Sequence, residues 1–353
     1  MSANLVVKES EAADVPTVSV CVPVYNYGRF IADCIESVLA QTFTEWELII
    51  CDDQSTDETW KICQEYTRKD NRIRCFRNAT RLGMFQNFRR TITYASGMYF
   101  KPLCADDWLH PEYLEGCLAL MKKYPTAGLV ATNCIDTDID GTPLASNYFL
   151  PREFFLGTKM IWREIVGLGG IGGNSSFLIR RWAYEAVSGY DTRFRYAADH
   201  HLGLKLCLLG DFAYTNRPLF YGRHHEQQSS AVNPARFWDV PDYLHMAGDL
   251  FPTRSRFDKN WWITRVIVGR IGSNYVVTAL NKMVHKDYGW GKNLLGVTFR
   301  QAPLHWPIIL MLPITLLSRV WFKLLSKTAR CWRRPAVLPV VKPVRRKSDQ
   351  AAC

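Results

Sequence analysis

The sequence predicts an α/β fold: a mostly parallel sheet flanked by helices, followed by a helical C-terminal extension. Three observations predict it. Apolar, β-branched runs at residues 18–24, 47–51, 73–76, 99–103 and 129–132 have the length and composition of buried strands. Segments with apolar residues at helical spacing separate them. Alternation of the two demands crossover connections, and so parallel pairing in a doubly wound sheet.

The elements follow in order. Residues 18–24 (VSVCVPV) form the first strand, and Tyr25-Asn26-Tyr27-Gly28 ends it with turn chemistry. Ile31, Ile35, Val38 and Leu39 then mark one helical face. The second strand, ELIIC, runs into Asp52-Asp53. Ser55 and Glu58 make a capping-box pattern, which predicts a helix through Ile62, Cys63 and Tyr66. A further helix follows Gly83, and the fourth strand delivers a second acidic pair, Asp106-Asp107. Pro111 suits the first turn of a helix striped by Leu114, Cys117, Leu118 and Met121. Farther on, residues 167–173 are glycine-rich but lack the GxxxxGK[ST] spacing of a triphosphate cradle. Residues 176–179 read as another strand. Asp199 opens a helix with Leu202, Leu206 and Leu209 on one side and Gly210 as its stop. Ligands of such sheets bind beyond the carboxyl ends of the strands, so both acidic pairs are expected to face one cleft.

Composition narrows the class. The chain has 353 residues, enough for a large core, with 48% hydrophobic and 22% charged residues. Its cysteines stand singly, with no CxxC pair to clip zinc, and read as small buried hydrophobes in a reducing compartment. Residues 1–15 contain acids and no long apolar run, unlike a secretory signal. From Lys286 onward there are 13 Lys/Arg against 2 Asp/Glu, which accounts for the whole net charge of +11. A neutral globule with a basic tail points to a local anionic partner and away from nucleic acid.

The order of motifs is informative: PVYN after one strand, DD with ST-D after the next, ADD after another, then a helix opening at an acid after Tyr196-Ala197-Ala198. Over residues 16–230 the chain resembles the family 2 glycosyltransferases, inverting enzymes of the GT-A fold. The resemblance implies transfer of a sugar from a nucleotide-diphosphate donor, with a UDP-sugar favoured, onto an acceptor hydroxyl. It assigns Asp107 to a Mg²⁺ or Mn²⁺ ion and Asp106 to the donor. It places Pro23, Tyr25, Asp53 and Asn87 along the donor, with Asp53 on the base and Asp52 capping the turn. It makes Asp199 the catalytic base; a helix N-cap is the plainer role for that residue. His224 matches a family histidine that could ligate the metal, with His225 beside it. The chain departs from the pattern at Cys104, where many members have Asp, at Ala198, where an acid often precedes the base, and at Gly222, where Arg223 stands in for a usual arginine. The Gln-x-x-Arg-Trp motif of processive synthases is absent from the sequence. A nucleotidyltransferase would want a basic glycine-rich loop after the first strand, which PVYNYG is not. A catalytically lost binding module fits poorly with a full set of acids.

The expected layout is a flexible start (1–15), the GT-A domain (16–230), a helical extension (231–302) and a basic tail (303–353). In the tail Arg319, Lys323, Lys327, Arg330 and Arg334 would share a helical stripe, flanked by Trp321, Leu324, Leu325 and Trp332. That is the pattern of a helix lying on an anionic membrane. A cytoplasmic enzyme, peripheral on the membrane, acting on a saccharide or lipid-linked acceptor, is the resulting expectation.

Overall fold

The computed structural model describes residues 16–144, 150–165, 170–228, 231, 239–250, 259–284 and 287–301. The tail stripe therefore lies outside the described residues.

Five strands occupy the first half: β1 (Val18–Val24), β2 (Trp46–Asp52), β3 (Ile73–Arg77), β4 (Tyr99–Pro102) and the short β5 (Trp108–Leu109). Between them run α1 (Ile31–Leu39), α2 (Thr59–Lys69) and α3 (Met84–Thr93), and then α4 (Tyr113–Lys123). The second half adds β6 (Ala127–Thr137), β7 (Phe154–Phe155), α5 (Gly157–Ile165), β8 (Phe177–Arg180), α6 (Arg181–Ala186), α7 (Ala198–Leu209) and β9 (Asp211–Arg223). Helices α8 (Asp239–Leu250), α9 (Lys259–Val284) and α10 (Tyr288–Gln301) complete the chain's described part.

One sheet runs β3-β2-β1-β4-β8-β6-β9-β5, with β7 also on β9. The block β3-β2-β1-β4 is parallel. Beyond it β8 is antiparallel to both neighbours, while β6 and β9 run parallel to each other. Alternation along the strands sorts two cores. Val18, Val20, Val22, Leu48 and Ile50 pack with α1 and α4 residues such as Ile35, Val38, Leu114 and Cys117. Cys21 and Ile49 face the other way, toward Phe85, Phe88, Ile161, Leu202 and Leu206. Both faces are thus covered by helices, which is why β1 and β2 are apolar throughout. Cys21, Cys34, Cys51, Cys63, Cys117 and Cys207 are buried thiols within these layers.

Local differences from the sequence reading have physical causes. No capping box forms at Ser55 and Glu58: the helix starts at Thr59, and Asp57 takes the Thr59 N–H at 3.0 Å. Ser55 Oγ instead accepts from Asn26 N (2.9 Å), and Asn26 Oδ1 accepts from Thr56 N (2.8 Å). These bonds lock the loop after β1 to the loop after β2, with Asn26 in the left-handed region (φ 54). Leu209, expected inside, is 45% exposed at the end of α7.

At the opposite, amino-terminal end of the parallel strands sits a buried polar knot. Glu47 Oε1 accepts from Ser19 Oγ (2.7 Å), Ser96 N (2.6 Å) and Ser96 Oγ (2.6 Å), and Arg74 pairs with Oε2 at 2.9 Å. Burial alone would raise the Glu47 pKa; the serine bonds and Arg74 outweigh it, and the carboxyl titrates below its usual range. A lowered folded-state pKa means that Glu47 contributes stability above the unfolded value of about 4.3, and that this share is lost as pH falls through the folded value. Glu47→Ala is expected to lower the unfolding free energy by about 2–4 kcal/mol at pH 7, with a smaller loss at pH 3. Urea unfolding at the two pH values checks this, and an unchanged midpoint at pH 7 contradicts it.

Candidate active site

In the parallel block β1 lies between β2 and β4, so successive crossovers depart to opposite sides of it. The carboxyl ends of the strands diverge there into a crevice, the usual ligand site of such sheets. The cleft found at this point has a volume of about 1530 Å³. Pro23, Tyr25, Asp53, Asn87, Asp106, Asp107, Asp199 and His224 all line it.

At one end, Asp52 and Asp53 divide their work. Asp52 is fully buried, accepts from Ser55 N (3.2 Å) and pairs with Arg77 (3.1 Å), so it holds the turn. Asp53 Oδ1 accepts from Asn78 Nδ2 and Leu82 N, both at 2.8 Å, and Oδ2 accepts from Gly83 N at 2.8 Å. A carboxylate offers about four lone-pair positions, so one remains for a ligand N–H. Asn87 is buried and acts at one remove: its Nδ2 donates to the Cys51 carbonyl (2.8 Å), and its Oδ1 accepts from Asn78 (2.9 Å). Its placement is a support for Asp53 more than a helix-surface position. The Arg81 guanidinium stacks on the Tyr25 ring at 3.8 Å. No local pattern in the sequence singled out Arg81; only the fold brings residues 25 and 81 together.

The second acidic pair sits where the chain leaves β4. Asp106 turns inward and its Oδ2 meets His225 Nε2 at 3.0 Å. His225 is itself packed against Phe30, ring centroids 4.9 Å apart. Asp107 opens to the cleft, and its Oδ1 accepts from Arg223 N at 2.9 Å. Burial first, then the neighbouring Asp106, push the Asp107 carboxyl up to about 7. Ser175 ties this loop from behind, accepting from Cys104 N at 3.1 Å. Lys101 is buried under the pair, with Nζ on the carbonyls of Pro102 (2.8 Å) and Ser175 (2.7 Å).

The two histidines part company. His225 holds Asp106, whereas His224 is half exposed and its Nε2 meets Asp136 at 3.0 Å. Cys104, Asp106 and Asp107 bring one ligand atom each within 4.8 Å of one another, and His224 does not belong to that group. His224 lies against Asp136 in the cleft wall, and a part for it in holding a metal rests on the family resemblance alone. Both histidines follow Arg223, the last residue of β9, and their rings turn to different acids. The Arg223 side chain is likewise not free for a ligand. It lies between the Phe30 and Trp108 rings (4.8 and 4.7 Å) and pairs with Asp33 at 2.9 Å.

A divalent cation fits this corner. The donor set is two carboxylates and a thiol, and one carboxyl is held away from its charged form by burial and then by its neighbour, both of which a cation would offset.

Asp199 occupies the far side of the cleft. It is the second residue of α7, not its N-cap, which is Ala197. Its Oδ1 accepts from His200 N at 2.8 Å. Burial raises its pKa, against the smaller lowering effects of backbone bonds and His200. A carboxylate with a raised pKa is a better proton acceptor. Gly173 makes room beside it: a Cβ there would stand 3.0 Å from Asp199 Oδ2.

Residues 19–187 match the model of Glycosyl transferase family 2. The chain is 29% identical to a chondroitin synthase of Pasteurella multocida (strain Pm70) over 232 residues, which is 65% of this chain and 23% of that protein. It spans between 21% and 30% of the length of the first curated relatives it matches. Among solved structures, S. aureus TarS 1–349 in complex with UDP-GlcNAc superposes with a TM-score of 0.55 at 18% identity, covering 81% of this chain and 92% of that one. The mannosyltransferase PcManGT from Pyrobaculum calidifontis, in complex with GDP-Man and Mn²⁺, gives 0.52 at 14% identity, covering 92% and 89%. Through its acid-bearing strand ends and its GT-A sheet, the matched segment, residues 19–187, belongs to glycosyl transferase family 2.

Proposed function

We propose that the protein is an inverting glycosyltransferase that moves a sugar from a nucleoside-diphosphate sugar, a UDP-sugar by preference, to an acceptor hydroxyl. The observation that carries this reading is the common cleft lined by Asp53, Asp107 and Asp199, which come from three separate parts of the chain. Structural neighbours bound to UDP-GlcNAc and to GDP-Man with Mn²⁺ support it.

Asp53 accepts an N–H of the base, with Tyr25 and Arg81 beside it. Asp107, with Asp106 steadied by His225, would hold Mg²⁺ or Mn²⁺. When bound, the ion supplies positive charge against the diphosphate as its bond to the sugar breaks. Asp199 takes the proton of the acceptor hydroxyl while that oxygen forms its bond to the anomeric carbon. The bond from that carbon to the diphosphate oxygen breaks, and its electron pair leaves with the nucleoside diphosphate. Attack from the opposite face inverts the centre. One carboxylate suffices, because the leaving group needs no proton.

Asp199→Asn is expected to lower the transfer kcat by about 10²–10⁴ while UDP still binds. Activity within about tenfold of wild type would remove Asp199 from this role.

Chondroitin synthase relatives favour a saccharide acceptor in surface polysaccharide or glycolipid synthesis. We further propose that the basic tail brings the enzyme to the cytoplasmic face of a membrane and to a lipid-linked acceptor. Among the described residues no helix is long and apolar enough to cross a membrane. The full chain should sediment with phosphatidylserine-containing vesicles, and a chain ending at Ala302 should not. Equal sedimentation of both would remove the tail from that role.

A further inference from the structure

Helix α8 lies beyond the family-matched segment, yet it reaches the cleft. The reason begins at the start of α7. A helix opens with four backbone N–H groups that have no partner within it. Ala197, at the N-cap of α7, has no side chain with which to accept one. Asp242 of α8 instead grips the chain as it enters the helix: its Oδ2 takes Tyr196 N at 2.7 Å and Ala197 N at 3.0 Å. Asp242 is only 5% exposed. A carboxylate at that depth is tolerated where backbone donors and a helix N-terminus meet it.

The rest of α8 faces two ways. Asp239 accepts from the Tyr275 hydroxyl at 2.9 Å, and Val240 packs with Val276, Ala279 and Leu294 of the C-terminal helices. Met246 belongs to the main core under the sheet. Tyr243, next to Asp242, lines the cleft and meets the His200 ring edge-on, centroids 5.4 Å apart. Asp199 stands two residues after Ala197, so the backbone that Asp242 grips is the backbone that aims the Asp199 carboxylate.

We propose that Asp242 is a positioning residue for Asp199, through which α8 couples the C-terminal helices to the reacting end of the cleft. The proposal rests on the reading of Asp199 as the base. Removing Asp242 leaves two N–H groups without an acceptor and frees the turn that launches α7. The donor side is carried by the loops after β1, β2 and β4 and does not depend on this bond. The effect should therefore fall on turnover and not on nucleotide binding.

The test compares full-length wild type, Asp242→Ala, Asp242→Asn and Asp199→Asn. Four readouts serve: transfer kcat, the acid limb of the pH–rate profile, calorimetric binding of UDP with Mn²⁺, and thermal melting. Asp242→Ala should lose roughly 10–100-fold in kcat and shift the acid limb, with UDP binding within about twofold of wild type. Asp242→Asn keeps an oxygen that accepts both N–H groups, and should retain wild-type kcat within about threefold and the wild-type limb. If the alanine variant does not fold, Asp242→Ser, whose hydroxyl is too short to span both N–H groups, takes its place with the same expectation. Wild-type turnover and limb in Asp242→Ala or Asp242→Ser, beside an inactive Asp199→Asn, would overturn the proposal alone. So would equal losses in the alanine and asparagine variants, or loss of UDP binding in step with kcat. An active Asp199→Asn would instead overturn the reading of the base.

Discussion

Two carboxylates share a water-poor corner at the end of β4, and most of the surrounding structure answers to that crowding. Asp106 and Asp107 cannot both carry charge there without support. The fold meets Asp106 with His225, meets Asp107 with the Arg223 backbone N–H, and braces the loop with Ser175. Long β9 is what carries Arg223 and His225 to the site, and its pairing with β6 and β5 fixes how far it reaches. Arg223 in turn is clamped between two rings and Asp33, so its backbone N–H stays aimed at Asp107. What is left over at Asp107 is a carboxyl pushed toward neutrality, facing a cleft where a cation would restore its charge.

The other half of the site is built on a different principle. Among the described residues no cationic side chain pairs with Asp53. Three N–H donors surround it, two of them from the loop that leads into α3. Such a carboxylate is rigid and keeps a defined direction for one further donor. Asp199, across the cleft, has few bonds to its carboxylate, and burial raises its pKa. Three acids of one chemical type thus acquire three characters from burial and partners alone.

Residues with local causes were legible in the sequence. β1 and β2 announce themselves because both faces are covered and their runs are continuous. The acidic pairs are legible because they sit where apolar strands stop. β9 was not foreseen: Thr215, Asn216, Arg217 and Pro218 interrupt its apolar pattern, and the register with β6 shifts nearby. The capping box at Ser55 failed because Asn26, from another loop, engages that hydroxyl. His224 and His225 differ by the acids they meet, Asp136 and Asp106, which adjacent positions alone do not encode. Asp242 and Arg81 are invisible for the same reason: their partners are 46 and 56 residues away. Tertiary placement, not propensity, makes them part of the site.

The central claim is that Asp107 anchors a cation-dependent site for a nucleoside-diphosphate sugar. The most direct measurement is calorimetric titration of UDP- and GDP-sugars into the full-length protein, with and without Mn²⁺, for wild type and Asp107→Asn. The account predicts that wild type binds one donor with Mn²⁺ present, that binding weakens at least tenfold without it, and that a folded Asp107→Asn protein loses the Mn²⁺ dependence and most of the affinity. Equal donor binding by wild type and Asp107→Asn, indifferent to Mn²⁺, or no binding of any donor by folded wild type, would contradict it.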